Sequence, residues 1–368
     1  MLGSIEDGGV SRRMFLCGTA GLLVAAAEPR HASPPPNSEE KPMSTIARVA
    51  CICQNGESHP TVAEHRQAML AYAREALKER PDLLCLPEAF TSPGVPGTPA
   101  SSAETVPGPT TDAFAALARE GRCYILVPIH TKQGDAIHNS VVVLGRDGDI
   151  IGVYHKYCPV TTSFDYTILE DGVTPGNDLP VFDLDFGRIG IQFCYDMGSP
   201  ENWQTLAAKG AKLIVWSSAY DGGFPLQVYA WLHHVWVVTS TRTQHSRIVD
   251  PCGEILAETK PSERLVVRTI NLDTIVSHLD WNMSIPGKIK AKYGDRVDVR
   301  QWIPGTSHFI VEPRDPAIKT ADLQKEFGFE PTTLYHERHR RCYARLRKGK
   351  QPEPQQALHG KRPQWGME

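Results

Sequence analysis

The chain has 368 residues, of which 41% are hydrophobic, which suits a packed α/β core and excludes a disordered or fibrous protein. Its 39 basic and 42 acidic residues leave a formal net charge of −3, so nothing in the total favours nucleic acid or an anionic membrane surface, and we expect a small-molecule partner and no nucleic acid. The nine cysteines are scattered and lack the paired spacing of a zinc or redox site, so no metal is expected.

The N-terminal segment has the features of an export signal. Arg12 and Arg13 precede an apolar run at 14–27, which is too short to span a bilayer as a stable helix. This order resembles a twin-arginine signal, which directs folded proteins to the bacterial periplasm. We expect residues 1–42 to form a signal peptide and a Pro-rich linker. The alternative is a cytoplasmic protein that starts near Met43.

Strand-like and helix-like segments alternate in the next part of the chain. Apolar runs rich in β-branched residues predict strands, and apolar residues spaced for a helical turn predict helices. The predicted strands are 46–53, 83–86 and 124–129, and the predicted helices are 61–78 and 111–119. Alternation of this kind predicts a layered α/β domain.

Three hairpins and two further pairs of helix and strand are predicted in the second half. Turn-forming residues join strand-like segments within 140–154, 181–194 and 246–258, which indicates a mixed sheet. The helices at 201–209 and 226–234 lead into strands at 213–216 and 235–240. We expect residues 43–312 to form one domain and the basic segment 313–368 to form a C-terminal arm that contacts other subunits in an oligomer.

Three reactive side chains stand where predicted strands end. Glu88 follows the strand that ends in Leu-Pro, Lys156 follows the strand at 150–154, and Cys194 ends the strand at 189–193. In α/β sheets, catalytic groups gather where strands give way to loops, because a rigid scaffold holds those loops. The three residues are therefore candidates for one active site.

The motifs around these three residues resemble those of the nitrilase superfamily of carbon-nitrogen hydrolases. The shared features are Leu-Pro-Glu at Glu88, a lysine shortly after a tyrosine at Lys156, and Cys-Tyr-Asp at Cys194 after a Gly-Arg-Ile-Gly hairpin. The resemblance covers roughly residues 46–275. It implies a four-layer αββα sandwich, a Glu-Lys-Cys triad, and a homodimer or larger homo-oligomer.

The resemblance also implies a mechanism that needs no metal or organic cofactor. Cys194 would attack the carbonyl carbon and form a thioester, while Glu88 would act alternately as base and acid. Lys156 and the backbone N–H of Tyr195 would stabilise the negative charge that develops on oxygen. Glu170 matches the second glutamate of the family, which supports the lysine.

The residues around the nucleophile indicate a substrate class. Tyr195 and Asp196 resemble the amidase and carbamoyl-amide branches rather than the nitrile-cleaving branch, so we expect an amide or N-carbamoyl substrate. The choice among linear amides, ω-amides and N-carbamoyl compounds stays open. Phe164, Tyr166 and Tyr220 are candidates for lining the substrate pocket, with core packing as the alternative for such aromatic residues.

One segment departs from the family pattern and leaves other functions open. Aligned on Ala230, the family's Glu and Asn become Leu232 and His233, which His234 follows. These histidines would either face the pocket or make structural hydrogen bonds near a subunit interface. Alternatives in the same fold are a nitrilase and an acyl transferase, and an alternative of another class is an inactive binding or scaffold protein.

Overall fold

The structure is a computed structural model that describes residues 44–301 and 307–358. The expected signal peptide and linker at 1–42 and the alternative start at Met43 lie outside these residues. The strands are β1 (Ile46–Ile52), β2 (Leu83–Cys85), β3 (Tyr124–Gln133), β4 (Ala136–Leu144), β5 (Ile150–His155), β6 (Val181–Leu184), β7 (Gly187–Phe193), β8 (Leu213–Ser218), β9 (Trp236–Thr241), β10 (Arg247–Val249), β11 (Ile255–Glu258), β12 (Leu265–Asn271), β13 (Ile275–His278), β14 (Val297–Gln301) and β15 (His308–Pro313). The helices are α1 (Val62–Leu77), α2 (Pro99–Ser102), α3 (Pro109–Gly121), α4 (Pro200–Ala208), α5 (Phe224–His233), α6 (Ile285–Tyr293), α7 (Thr320–Phe327) and α8 (Thr332–Leu346).

Two six-stranded sheets form the centre of the fold. Their strand orders are β12-β1-β2-β3-β4-β5 and β11-β10-β9-β8-β7-β6. Strands β1, β2 and β3 are parallel, as are β7, β8 and β9, and the other pairs are antiparallel. The sheets are therefore mixed, as the hairpins in the sequence predict.

The sheets pack face to face between two outer layers of helices. Alternate residues of β1 show this arrangement: Val49 and Cys51 belong to the core between the sheets, whereas Ala50 and Ile52 belong to a second core with α1 and α3. Side chains of α4 and α5, including Trp203, extend the core from the opposite side. From Val49 to Ile52, β1 is buried on both faces, and this part of its sequence is a continuous apolar run. The predicted four-layer αββα sandwich is confirmed.

All three predicted hairpins are present, as the pairs β4–β5, β6–β7 and β10–β11. The hairpin formed by β3 and β4 is a correction to the sequence prediction, which ended one strand at Ile129 and began the next at Ser140. The two strands continue to Gln133 and Ala136 because backbone pairing persists through a polar stretch. This extension pairs His130 with Asn139 near the end of the sandwich.

A third, smaller sheet follows the sandwich. It has the strand order β13-β15-β14 and packs with α6 and α7 around an apolar cluster that includes Ile289, Phe309 and Leu323. The boundary predicted after residue 312 lies within β15, and the residues beyond it include α7 and α8. Within the two described ranges, no helix is long and apolar enough to cross a membrane.

Candidate active site

The three predicted catalytic residues lie at one edge of the sandwich. Glu88 comes three residues after β2, Lys156 directly follows β5, and Cys194 directly follows β7. All three line one cavity of about 310 Å³, together with Glu170. The convergence has a topological cause, since β2 and β5 run in the same direction in the first sheet and so end at the same edge.

Lys156 lies between two carboxylates. Its Nζ is 2.8 Å from Oε1 of Glu88 and 2.5 Å from Oε1 of Glu170. Lys156 and Glu88 are buried, with relative exposures of 1% and 3%. A buried cation is stable only when it is paired, and here two carboxylates share it. The sequence assigned Glu170 a supporting position beside the lysine, and the structure brings it there.

Two further groups hold the Glu88 carboxylate in place. Asn139 Nδ2 donates to Oε1 of Glu88 at 2.9 Å and also lies 3.2 Å from Oε2 of Glu170. The backbone N–H of Ala219, directly after β8, donates to the other oxygen of Glu88 at 2.9 Å. Sequence reasoning missed Asn139. The available signal was a polar triplet, His138, Asn139 and Ser140, within a strand that is otherwise apolar.

These contacts determine the charges of the pair. Burial raises the pKa of Glu88, but the positive charges of Lys156 and Arg242, with hydrogen bonds from Lys156 and the Cys194 thiol, outweigh burial and hold it below its ordinary value. Burial opposes the charged form of Lys156, yet Glu88 and Glu170 raise its pKa above its ordinary value. At neutral pH, Glu88 is therefore a carboxylate beside a protonated lysine.

Cys194 occupies a strained turn at the end of β7. It has a φ of 33°, in the left-handed region that a non-glycine residue rarely adopts, and it begins a short 3₁₀ helix, Cys194–Gly198. Trp216 Nε1 donates to its carbonyl oxygen at 3.2 Å. Burial, and then the negative charge of Glu88, raise the pKa of the thiol to about 12. The thiol is thus protonated at neutral pH and needs a base at the moment of attack.

Hydrogen bonds to Asp196 hold this turn in place. Its buried carboxylate accepts hydrogen bonds from Tyr154 Oη at 2.5 Å, from the N–H of Phe193 at 2.8 Å and from the N–H of Cys158 at 2.7 Å. The end of β7 is therefore tied to the end of β5 and to the loop that follows Lys156. Sequence analysis used Asp196 only as an indicator of substrate branch and missed this structural contribution.

The backbone N–H of Tyr195 lies in the first turn of the 3₁₀ helix, where N–H groups have no partner within the helix. Its side chain is 53% exposed. An N–H one residue beyond the nucleophile can donate to a negatively charged oxygen on a carbon bound to Sγ. This position suits the predicted oxyanion donor.

The aromatic pocket candidates do not line the cavity. Phe164 and Tyr166 are exposed by 107% and 77%, in the loop between Lys156 and Glu170, and neither is among the lining residues. Tyr220 also lies outside the lining, but its ring meets Trp216 edge to face at 5.4 Å. Burial, and then the charges of Cys194 and Glu88, raise the Tyr220 pKa to about 12, which is consistent with a position beside the site.

The altered helix segment is also outside the cavity. Neither His233 nor His234 lines it. The ring of His233 stacks on that of Tyr229, and Nδ1 of His234 lies 3.2 Å from the carbonyl oxygen of Pro251. Leu232 is 52% exposed. These positions favour the structural interpretation of the two histidines over contact with substrate.

Sequence reasoning also missed His130 and Arg242, which line the cavity. His130 comes from the extension of β3, and Nδ1 of its ring lies 2.8 Å from Ser102 Oγ. Burial lowers the His130 pKa to about 4, so the ring is neutral at pH 7. Arg242 directly follows β9. In the part of the chain that the structure describes, no group of three or more His, Cys, Asp or Glu side chains is arranged to hold a metal ion.

Comparison with known sequences identifies relatives over the same region. A family model described as carbon-nitrogen hydrolase matches residues 48–278. The chain is 28% identical to human omega-amidase NIT2 over 228 residues, which are 55% of this chain and 81% of that protein. It is 26% identical to omega-amidase NIT3 of Saccharomyces cerevisiae over 272 residues, 65% of this chain and 92% of the yeast protein.

Comparison with solved structures gives the same fold. Nit3 of Saccharomyces cerevisiae, described as a member of branch 10 of the nitrilase superfamily, superposes with a TM-score of 0.54 at 24% identity and covers 64% of this chain and 93% of its own. An amidase from Nesterenkonia sp. superposes with a TM-score of 0.52 at 20% identity, covering 62% and 91% of the two chains. At these identities the likeness is one of fold.

Proposed function

Because this chain belongs to the carbon-nitrogen hydrolase family and is an enzyme that hydrolyses carbon-nitrogen bonds, we propose that it cleaves small amides or N-carbamoyl compounds through a thioester on Cys194. The observation that supports this most strongly is the Glu88–Lys156 pair, with 2.8 Å between Nζ and Oε1. It lines the same cavity as the thiol. An ionised base and a fixed cation beside a protonated nucleophile are the groups that acyl transfer requires.

In the first step, the substrate loses its amine. Glu88 accepts the thiol proton while Sγ of Cys194 bonds to the carbonyl carbon and the carbonyl π electrons move to oxygen. Glu88 then gives this proton to the departing nitrogen as the carbon-nitrogen bond breaks. Ammonia or an amine leaves, and a thioester remains on Cys194.

In the second step, water releases the acid. Glu88 accepts a proton from water as its oxygen bonds to the thioester carbon. The carbon-sulfur bond then breaks and the thiol regains the proton from Glu88. In both steps Lys156 and the N–H of Tyr195 stabilise the oxyanion, and Glu170 keeps Lys156 in position. The side chains of this chain thus account for every proton that moves.

Three observations support a small amide as substrate. The relatives named above are omega-amidases, and the cavity of about 310 Å³ is at the small end of ligand pockets, which span about 300 to 1,000 Å³. The Tyr195 and Asp196 pair favours amides over nitriles.

The test is to replace the nucleophile and screen a panel of small amides, nitriles and N-carbamoyl compounds. We expect Cys194→Ala to abolish ammonia release and the acyl-enzyme mass while the circular dichroism spectrum is unchanged. The matched control is Cys158→Ala, since this thiol is half-buried nearby but outside the cavity lining, and it should retain turnover. Unchanged hydrolysis by Cys194→Ala would exclude the proposal.

We also propose that the chain is exported through the arginine pair at Arg12 and Arg13 and that it assembles as a homo-oligomer. The order of the basic pair and apolar run supports export. Exposed apolar side chains on α5, Phe224 at 71% and Leu232 at 52%, support assembly. A reporter fused to residues 1–45, with both arginines changed to lysine as control, tests export, and light scattering tests assembly.

A further inference from the structure

Arg242 stands at the same edge of the second sheet as the nucleophile. The parallel strands β7, β8 and β9 are neighbours, and the residues that directly follow them are Cys194, Ala219 and Arg242. All three line the cavity. Neighbouring strands lie about 4.8 Å apart, so one intervening strand separates the backbones of Cys194 and Arg242 by roughly 10 Å. A short substrate can therefore contact both side chains at once.

The backbone of Arg242 is fixed on both sides. Its N–H donates to the carbonyl oxygen of Ser218 at 2.9 Å, and its own carbonyl accepts from the N–H of Gly56 at 2.7 Å. These bonds tie the residue to the end of β8 and to the loop after β1. The side chain is thus delivered to the cavity from a rigid position rather than from a mobile loop.

The guanidinium of Arg242 differs from neighbouring arginines in having no partner. Arg247 pairs with Asp221 and Glu258, and Arg264 pairs with Glu57. Across residues 44–301 and 307–358, no ion pair or hydrogen bond to the Arg242 side chain is present. A partly buried cation that the fold leaves unpaired costs stability, which favours a function in binding.

The other charges of the cavity do not satisfy Arg242. Lys156 already engages Glu88 and Glu170. The third carboxylate of the lining, Asp171, forms no ion pair with it within the described ranges, and His130 is neutral at pH 7. Among the described residues that line the cavity, Arg242 is therefore the cationic side chain that remains available to a ligand.

We propose that Arg242 is a specificity-determining residue that binds the carboxylate of the substrate, so that the enzyme prefers amides that carry a carboxylate a few carbons from the scissile bond. This inference rests on the proposed function. The planar guanidinium binds a carboxylate with two parallel hydrogen bonds. A substrate without this group would leave the cation unpaired in the cavity, which is an effective basis for discrimination.

The experiment compares three amides of similar size that differ in charge: succinamate, the neutral isostere 4-oxopentanamide, and the cationic 4-aminobutanamide. For the wild-type enzyme we expect kcat/KM to fall in that order. In Arg242→Gln we expect kcat/KM for succinamate to fall about 10- to 100-fold, mainly through KM, because a hydrogen-bonded charge pair is lost. The neutral amide should change less than about threefold on the same scale.

Two further variants separate recognition from other effects. Arg242→Lys keeps the charge but loses the planar guanidinium that donates two parallel hydrogen bonds, so its activity on succinamate should lie between those of Arg242→Gln and the wild type. Arg264→Gln removes an arginine that is already paired with Glu57 and lies outside the cavity lining. This variant should leave the ratio of kcat/KM for succinamate to kcat/KM for 4-oxopentanamide unchanged.

The competing explanation is that Arg242 acts only through the charge of Glu88. In that case Arg242→Gln would lower the activity on charged and neutral amides equally and shift the acid limb of the pH profile, which would overturn the inference. Equal wild-type activity on succinamate and 4-oxopentanamide would also overturn it while the proposed function stands. If the wild-type enzyme hydrolyses no amide in the wider panel, the proposed function itself fails.

Discussion

Two buried charge clusters in this protein have similar composition and different surroundings. The Lys156 cluster contains Lys156, Glu88 and Glu170. The Arg300 cluster consists of Arg300 with Asp250 at 3.3 Å, Asp298 at 2.5 Å and Glu312 at 2.8 Å. In each cluster one cation holds several carboxylates away from water.

The difference lies in what each cluster faces. The Lys156 cluster lines the cavity that contains the Cys194 thiol. The members of the Arg300 cluster lie outside that lining and connect β14 and β15 to the turn between β10 and β11, where Asp250 is located. A buried ion pair by itself therefore does not identify an active site. Access to a cavity and an adjacent thiol distinguish the Lys156 cluster, which we propose to be catalytic, from the Arg300 cluster.

The largest expected effect comes from removing the cation of each cluster. Lys156→Met should lower kcat about 100- to 1,000-fold, because a preorganised donor to the oxyanion is lost. Arg300→Met should instead destabilise the fold by about 3 to 5 kcal/mol, since Asp250 and Glu312 become uncompensated while Asp298 keeps its pair with Arg314; kcat of the folded enzyme should stay near the wild-type value. Steady-state kinetics and urea unfolding measure the two effects. The contrast between the clusters fails if Arg300→Met lowers kcat as much as Lys156→Met.

A second prediction concerns the pH profile of catalysis. The pKa of Glu88 is below its ordinary value of 4.5, so its basic form is present above that pH and is lost only in stronger acid. The Cys194 thiol, with its pKa raised to about 12, stays protonated up to high pH. We expect kcat/KM to be constant between pH 5 and about pH 10. An acid limb near pH 6 would show that Glu88 is not the base that limits the reaction.

Glu88→Gln serves as the matched variant for this profile. It keeps the shape of the side chain but removes the base, so residual activity should be low and should show no acid limb from this residue. Arg300→Met should keep the wild-type profile because its cluster does not contact the reacting groups.

The smallest expected effect is on stability in mild acid. Burial lowers the pKa of His234 to about 4, from an ordinary value of 6.5. A depressed pKa means that the neutral form stabilises the folded state above pH 6.5 and that this contribution is lost as the pH falls toward 4. His130 and His155 have the same shift. The melting temperature should therefore decrease between pH 6.5 and pH 4.5.

His234→Gln should make this decrease smaller by a few degrees, measured by differential scanning fluorimetry at the two pH values. The ring centroids of His234, which directly follows α5, and His308 of β15 are 5.6 Å apart, so the change reports on the contact between the end of α5 and the third sheet. The control is His59→Gln, at a half-exposed position beside Glu57. If the two variants show the same pH dependence, His234 is not a source of the acid sensitivity.

Many of the strands and hairpins, and the residues of the proposed triad, could be predicted from the sequence because their signals are local. A buried parallel strand is a short apolar run, and a reactive residue at its end is visible in the same few positions. Glu88 and Cys194 follow buried strands with parallel neighbours, β2 and β7, whereas Lys156 follows β5, the antiparallel edge strand of a predicted hairpin. The three hairpins also have local signals, since turn residues separate short paired segments.

Other parts of the site had no local signal. Asn139 was missed because its function depends on contacts with Glu88 and Glu170, which are 51 and 31 residues away in the chain. Phe164 and Tyr166 were proposed for the pocket from their position after Lys156, yet the path of the loop leaves both rings exposed. The free guanidinium of Arg242 is invisible in a sequence, since pairing depends on which carboxylates come near.

The sequence by itself determined the alternation of strands and helices and the three strand ends that carry the proposed triad, and its motifs carried the resemblance that implied the αββα architecture. The tertiary structure decided the boundary of the cavity, the charges of Glu88 and Lys156, and which arginine is left without a partner. The physical reason is the range of the interactions: strand formation and turn geometry depend on neighbouring residues. Burial and electrostatic pairing depend on groups that only the folded chain brings within a few ångströms.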